Sequence, residues 1–195
     1  MTPKSSAEKK DCYIVVDVET SGPSPSHYAL LSIGASTVND PQQTFYAELQ
    51  PDRQAFTSEA MAVNGLSLEQ LSTEGLPPAE ALQRFADWVE QVVPADAQPV
   101  LAAFNAPFDW MFVNDYFHRY LRHNPFGHSA LDIKAYFMGL HCVTWQETSH
   151  ERVGSRYGGR IKLSHHALYD AMDDAEILQS MIAEQRTGCT KERMR

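Results

Sequence analysis

The reading of this chain turns on residues 11–22, Asp11-Cys12-Tyr13-Ile14-Val15-Val16-Asp17-Val18-Glu19-Thr20-Ser21-Gly22. An apolar, β-branched run from Tyr13 to Val16 leads into two carboxylates one residue apart, and a glycine then breaks the pattern. In a strand, residues i and i+2 point to the same face, so Asp17 and Glu19 are predicted to project together from the end of a buried strand. Like charges side by side at the edge of a core are costly unless compensated. A divalent cation is the natural compensation, and the remaining ligands must then lie elsewhere in the chain.

Working outward, Gly22-Pro23-Ser24-Pro25-Ser26 is a loop by its turn chemistry. Ala29 to Val38 reads as a second strand, Asn39-Asp40-Pro41 as a turn, and Thr44 to Leu49 as a third strand, which together predict an antiparallel meander. The texture then changes. Ser58 to Gly65 is a short capped helix, Ser67 to Leu71 another helical turn, and Pro78 to Val93 a strong helix with Ala81, Leu82, Phe85, Trp88, Val89 and Val92 at helical spacing. Pro99 to Phe104 is a buried strand parallel to the first, followed by a helix over Pro107–Arg122. Asp132 to Leu140 and Trp145 to Glu151 are shorter helices, Arg152 to Lys162 is a loop, and Ser164 to about Glu184 is the last long helix. Strands first, then strands alternating with helices, predict an α/β fold with a mixed sheet.

Composition narrows the class. The 195 residues are 43% hydrophobic, enough for one well-buried domain, expected over 11–185 between a disordered start (1–10) and a charged tail (186–195). A net charge of −9 argues against a tight, non-specific nucleic-acid binder, while leaving room for an enzyme that holds a few nucleotides at an acidic, metal-loaded site. The three cysteines, Cys12, Cys142 and Cys189, make no CxxC pair and no disulfide framework, and reduced thiols in a cytoplasmic protein are the simplest reading. Neither a signal-peptide run nor a stretch long enough to span a membrane is present.

Two later stretches bring more acids. Asn105-Ala106-Pro107-Phe108-Asp109 follows a strand, with Pro107 suited to the first turn of a helix. Asp109 then sits where ligands gather in open α/β sheets, or it simply complements the helix dipole. The last helix opens with Ser164-His165-His166-Ala167-Leu168-Tyr169-Asp170-Ala171-Met172-Asp173-Asp174-Ala175. Its apolar stripe is Ala167, Ala171, Ala175, Leu178 and Ile182. Asp170 falls on one edge of that stripe, Asp173 points to solvent, and Asp174 lies nearer the centre, so periodicity alone makes Asp174 a rival ligand. His165 sits at or just before the first turn, where it can swing over the strand ends or remain a solvated capping residue.

Together these segments resemble the DEDDh exonucleases, which include the proofreading subunit of bacterial replicative polymerase and ribonuclease T. The three motifs occur in order: Asp17-Val18-Glu19-Thr20-Ser21-Gly22, Asn105-Ala106-Pro107-Phe108-Asp109, and His165-His166-Ala167-Leu168-Tyr169-Asp170-Ala171. The resemblance implies a ribonuclease H-like fold, a mixed five-stranded sheet of an antiparallel meander plus parallel strands flanked by helices. It selects Asp170 over Asp174, since the family's His lies five residues before its Asp. The sister class places a Tyr four residues before that Asp, and His166 stands there instead. One departure is Phe104, where many relatives carry His.

The implied activity is 3′→5′ exonucleolytic hydrolysis of single-stranded DNA or RNA, releasing nucleoside 5′-monophosphates. The implied cofactors are two Mg²⁺ or Mn²⁺ ions held by Asp17, Glu19, Asp109 and Asp170, since hard oxygen ligands suit those ions. His165 is the implied general base. Thr20, Gly22 and Asn105 are the implied contacts to the terminal nucleotide, and Phe108 either stacks on a base or is a core residue beside the site. Ala62 to Leu66 resembles the segment that abuts the terminal base. The basic cluster Arg152, Arg156, Arg160 and Lys162 is read as a mobile loop, with Arg156 and Arg160 contacting phosphates, or as an ordinary solvated loop. Some relatives form homodimers, a state left open here. The alternative from another class is a catalytically silent member that binds nucleic acid or a partner protein.

Overall fold

The computed structural model describes residues 9–39, 42–159 and 163–193, with side chains as far as residue 187. Five strands form one mixed sheet in the order β3-β2-β1-β4-β5. Strand β1 (Lys10–Thr20) lies at its centre. It pairs antiparallel with β2 (Leu30–Thr37), which pairs antiparallel with β3 (Thr44–Glu48). On its other side β1 runs parallel to β4 (Ala97–Ala103), which runs parallel to the short β5 (Ala130–Asp132). This is the expected meander plus parallel strands. Lys10, expected in a disordered start, instead opens β1, its backbone donating to the Asp96 carbonyl at 3.1 Å; residues 1–8 lie outside those described.

The alternation of β1 sorts its side chains onto two faces. Ile14, Val16 and Val18 pack with α3 (Pro78–Val92) and α4 (Ala106–Tyr120), whose Leu82, Phe85, Phe112 and Tyr116 are fully buried. Val15 packs on the opposite face with α5 (Ile133–His141), α6 (His150–Tyr157) and α7 (Ala167–Arg193), through Phe137, Val153, Ala171 and Ala175. Asp17 and Glu19 share the face of Val15, so they look toward α7. Two short helices, α1 (Ser58–Asn64) and α2 (Leu68–Glu74), bridge β3 and α3; Thr57 and Ser67 cap their N-termini and Gly65, at φ 67°, ends α1.

Two corrections concern the C-terminal third. The stretch expected to be one helix over 145–151 followed by a basic loop is a single 3-10 turn, Trp145–Glu147, and then helix α6 over His150–Tyr157. Ser149 caps α6 through the Arg152 amide, and Gly158 ends it at φ 77°. Arg152 and Arg156 are thus helical. Its apolar side chains, Val153 and Tyr157, fall one turn apart, but two residues make a short stripe in a charged segment interrupted by Gly154, and the helix is stabilised by the burial of Val153 against α7. Helix α7 also begins later than expected, at Ala167, and carries on through Arg193, into the segment read as a tail.

The seating of α7 depends on Gly34. A Cβ at that position would lie 2.1 Å from the Ala167 carbonyl carbon and 2.2 Å from the Leu168 nitrogen. Gly34 is also the register partner of Asp17. The first turn of α7 therefore rests directly on the backbone of β2, one strand away from the paired carboxylates, which brings Asp170 to them.

Candidate active site

The site forms where β1 outruns its parallel neighbour. Pairing of β1 with β4 stops at Val15–Ala102, leaving the last residues of β1 without a partner on that side. The Val18 amide is taken instead by the side chain of Asp109, Val18 N to Oδ1 at 3.2 Å. Asp109 thus completes the ladder of β1 and in doing so is carried beside Asp17. On the β2 side the register slips between Glu19 and Thr20, a bulge of the kind that re-aims side chains next to functional sites.

The first turn of α4 is set by two devices. Asn105 adopts a left-handed backbone, φ 69° and ψ 49°, a conformation asparagine tolerates better than most residues. Its side chain makes no cap; the Ala106 amide donates to Asp132 Oδ2 at 2.7 Å, while Asp132 Oδ1 accepts from the Ala135 amide at 2.6 Å. One aspartate at the end of β5 therefore caps both α4 and α5. Sequence reading passed over this role, because Asp132 and Ala106 are far apart in the chain; an Asp immediately before a helical run was the available signal.

Asp170, buried in the first turn of α7, reaches back to the segment that precedes its own helix. Its Oδ1 accepts from the Ser164 amide and hydroxyl, each at 2.8 Å, and its Oδ2 from the His165 amide at 2.8 Å. Hydrogen bonds to a charged group contribute about 1.5–3 kcal/mol each, enough to hold His165 at its left-handed φ of 56°. The neighbouring ring of His166 is stacked against Tyr46 of β3 and lies beside Tyr169, with centroids 4.6 and 4.5 Å away.

These devices bring Glu19, His165 and Asp170 together, with one potential ligand atom from each inside a common 4.8 Å span. Among the described residues this is the only such group of three or more. Asp17 and Asp109 flank it, and the electrostatics mark the whole cluster. Burial, then the charges of Asp109, Glu19, Asp174 and Asp170, raise Asp17 well above the usual carboxylate range. Burial also raises Asp109 despite the amides it accepts from, with Asp174 and Glu19 adding to the effect. Glu19 is pushed up to about 7, first by burial and then by Asp170. Carboxylates crowded to this degree, all hard oxygen donors, fit divalent cations; the donor set contains no thiolate.

The remaining predicted residues divide. Thr20 is buried at the end of β1 and its hydroxyl donates to the Gly22 carbonyl at 2.9 Å. Gly22 lies under the ring of Tyr28, which a Cβ would strike at 2.3 Å. Phe108 and Val63 line an open, mainly apolar cavity of about 270 Å³ together with Glu19, Thr20, Ala60 and Asn64. Asn64 anchors that wall, its amide donating to the Thr20 carbonyl at 3.0 Å. Arg156 lies on the outer side of α6 and pairs with Glu184 of α7 at 3.1 Å, while Arg160 and Lys162 lie outside the described residues.

A mixed sheet with this strand order, crossed by α7, and a cluster of acids at the end of its central strand define an exonuclease of the ribonuclease H-like type. The exonuclease family model called RNase_T matches residues 14–178, and the chain belongs to that family. A curated relative is the 3′-5′ DNA exonuclease Cap18 of Escherichia coli, 42% identical over 170 residues covering 87% of this chain and 91% of that protein. Among solved structures, the nuclease domain of 3′hExo, a DEDDh member bound to rAMP, superposes with a TM-score of 0.75 at 15% identity, covering 90% of this chain and 93% of that one. Escherichia coli exonuclease I in complex with a dT13 oligonucleotide gives 0.69 at 16% identity, over 94% of this chain and 43% of the larger enzyme. The chain is a nuclease, a hydrolase of phosphodiester bonds. No helix among the described residues is long and apolar enough to cross a membrane.

Proposed function

We propose that the protein is a 3′→5′ exonuclease that shortens single-stranded nucleic acid from its 3′ end and releases nucleoside 5′-monophosphates. The observation that carries this reading is the meeting of Glu19, His165 and Asp170 within 4.8 Å, beside an open apolar cavity walled by Phe108 and Val63. Asp17, Glu19, Asp109 and Asp170 are the residues that would hold two Mg²⁺ or Mn²⁺ ions. When bound, such ions supply electrostatic stabilisation to the attacking and departing oxygens of an in-line displacement.

The chain's own residues do the rest. The imidazole of His165, next to Glu19 and Asp170, takes the proton of the attacking water as general base. The hydrogen bond donated by the His165 backbone amide to Asp170 Oδ2 holds the residue beside the cluster. The terminal base enters the Phe108–Val63 cavity, where an aromatic contact contributes about 1–3 kcal/mol. The backbone at Thr20 and Gly22 faces the terminal sugar, and the positive-φ turn at Asn105 shapes the adjoining rim. The DNA named for the Cap18 relative makes DNA the first substrate to try, and the free thiols of Cys12 and Cys142 accord with a reducing, cytoplasmic setting.

The test is a side-by-side incubation of 5′-labelled single-stranded DNA, RNA and dinucleotides with Mg²⁺, Mn²⁺ or chelator. Stepwise shortening from the 3′ end, with mononucleotide product and arrest by chelator, is the expected outcome. Intact substrates at high enzyme with either metal overturn the reading.

A further inference from the structure

A further carboxylate faces the cluster, and the three family motifs do not use it. Asp174 lies one turn beyond Asp170 on α7 and is 2% exposed. It adds to the burial-driven rise of both Asp17 and Asp109, yet it is not part of the group whose ligand atoms come within 4.8 Å of one another, Glu19, His165 and Asp170. Its side chain is held by the imidazole of His150, Nε2 to Oδ1 at 3.2 Å, and that imidazole is itself 11% exposed. The ring sits in a shaped slot, edge-on to Phe104 at 4.9 Å and 70°. His150 opens α6, the helix that the sequence placed mostly in a loop, so the pair exists only because α6 docks on α7.

An acid so placed can act in two ways. Left free, its carboxylate is a further oxygen donor one helical turn from Asp170, and would draw an ion away from its working position. Held by a hydrogen-bond donor on the far side, it stays behind the ligands. We propose that His150 is a positioning residue that keeps Asp174 out of the metal-ligand set, so that the ions are bound by the four motif carboxylates alone. The hydrogen bond fixes the direction of the Asp174 carboxylate, and the Phe104 contact fixes the ring that makes it. This inference rests on the metal reading of the site.

Calorimetric titration of the full chain with Mn²⁺, without substrate, tests it. His150→Phe keeps the ring in its slot and removes the donor. It should bind Mn²⁺ about five-fold tighter or more, since an unpaired buried carboxylate beside a cation adds attraction in a low-dielectric setting, while kcat falls and KM for the oligonucleotide stays put. Adding Asp174→Asn to that variant should abolish the gain and bring the isotherm to that of Asp174→Asn alone. His150→Gln, which retains an N–H donor, should follow the wild type throughout. Asp174→Asn alone should weaken Mn²⁺ binding by less than about ten-fold, because the clamped carboxylate acts on the ion through space and not as a ligand. A His150→Phe isotherm that superposes on the wild type, with only a lower melting temperature, reduces the pair to a helix clamp and overturns the inference. Loss of Mn²⁺ binding in Asp174→Asn alone makes Asp174 a ligand and overturns it too. Absence of Mn²⁺ binding in the wild type removes the metal reading and the inference together.

Discussion

Two acidic sites in this molecule have opposite fates. Asp52, in the loop after β3, accepts from the hydroxyls of Tyr116 and Tyr120 and pairs with the Arg119 guanidinium. Burial alone would push its carboxyl up, yet those donors and the Arg119 charge bring it below the usual range. At the end of β1 the balance is reversed: burial and mutual repulsion hold Asp17, Glu19 and Asp109 above their ordinary values. Asp109 accepts from the Val18 amide, while burial and like charges alone act on Asp17 and Glu19. An acid that is satisfied by its own chain is a structural tie, here fastening α4 to the meander. Acids left without a cation of their own chain mark a place where something else completes the charge, and the proposed nuclease chemistry belongs there.

That contrast can be broken experimentally. The largest effect is expected from Asp17→Asn, which removes a proposed metal ligand where several kcal/mol of transition-state stabilisation are at stake. Exonuclease rate should fall about 10³-fold or more while the melting temperature in chelator stays level or rises, because a like charge has gone. A fall in both would mean that Asp17 is a structural tie after all. His165→Ala should slow turnover about 10²-fold or more, with the Mn²⁺ isotherm close to wild type; full rate in this variant removes the general-base assignment.

Asp52→Asn is the mirror experiment. It should cost about 2–3 kcal/mol in chemical denaturation, from weakened charged hydrogen bonds, while rate per folded molecule is retained. The smallest effect is a pH dependence. Glu19 has its carboxyl raised from an ordinary 4.5 to about 7, so its protonated form is favoured by the folded state. The stability this contributes is complete below about pH 4.5 and lost as pH rises through about 7. In chelator, the melting temperature should therefore decline across that window, and added Mg²⁺ or Mn²⁺ should raise it more at pH 8 than at pH 5. A melting temperature that climbs over the window in chelator would show that Glu19 is paired within the chain.

The sequence by itself determined the sheet and most of the helices, because those depend on local periodicity: the β-branched run of β1, the 3.6-residue spacing of α3, and the turn residues between strands. It also placed Asp17, Glu19, Asp109, His165 and Asp170 in three motifs, each on its expected element. From the residues alone Asp170 and Asp174 stayed rivals, since two positions one turn apart share nearly the same helical face; the family spacing favoured Asp170, and the fold gives each a different partner. Tertiary structure alone decided the rest. The α6 helix forms in a short charged stretch with only Val153 and Tyr157 to mark its apolar face, because Val153 is buried against α7 and the helix gains its stability from that contact. Asp132 caps two helices, Gly34 opens the seat for α7, and His150 takes hold of Asp174, all through pairings distant in sequence. Local pattern fixes which residues face the core, but the partner of a buried charge is chosen by whichever segments the packed sheet brings within about 3 Å of it.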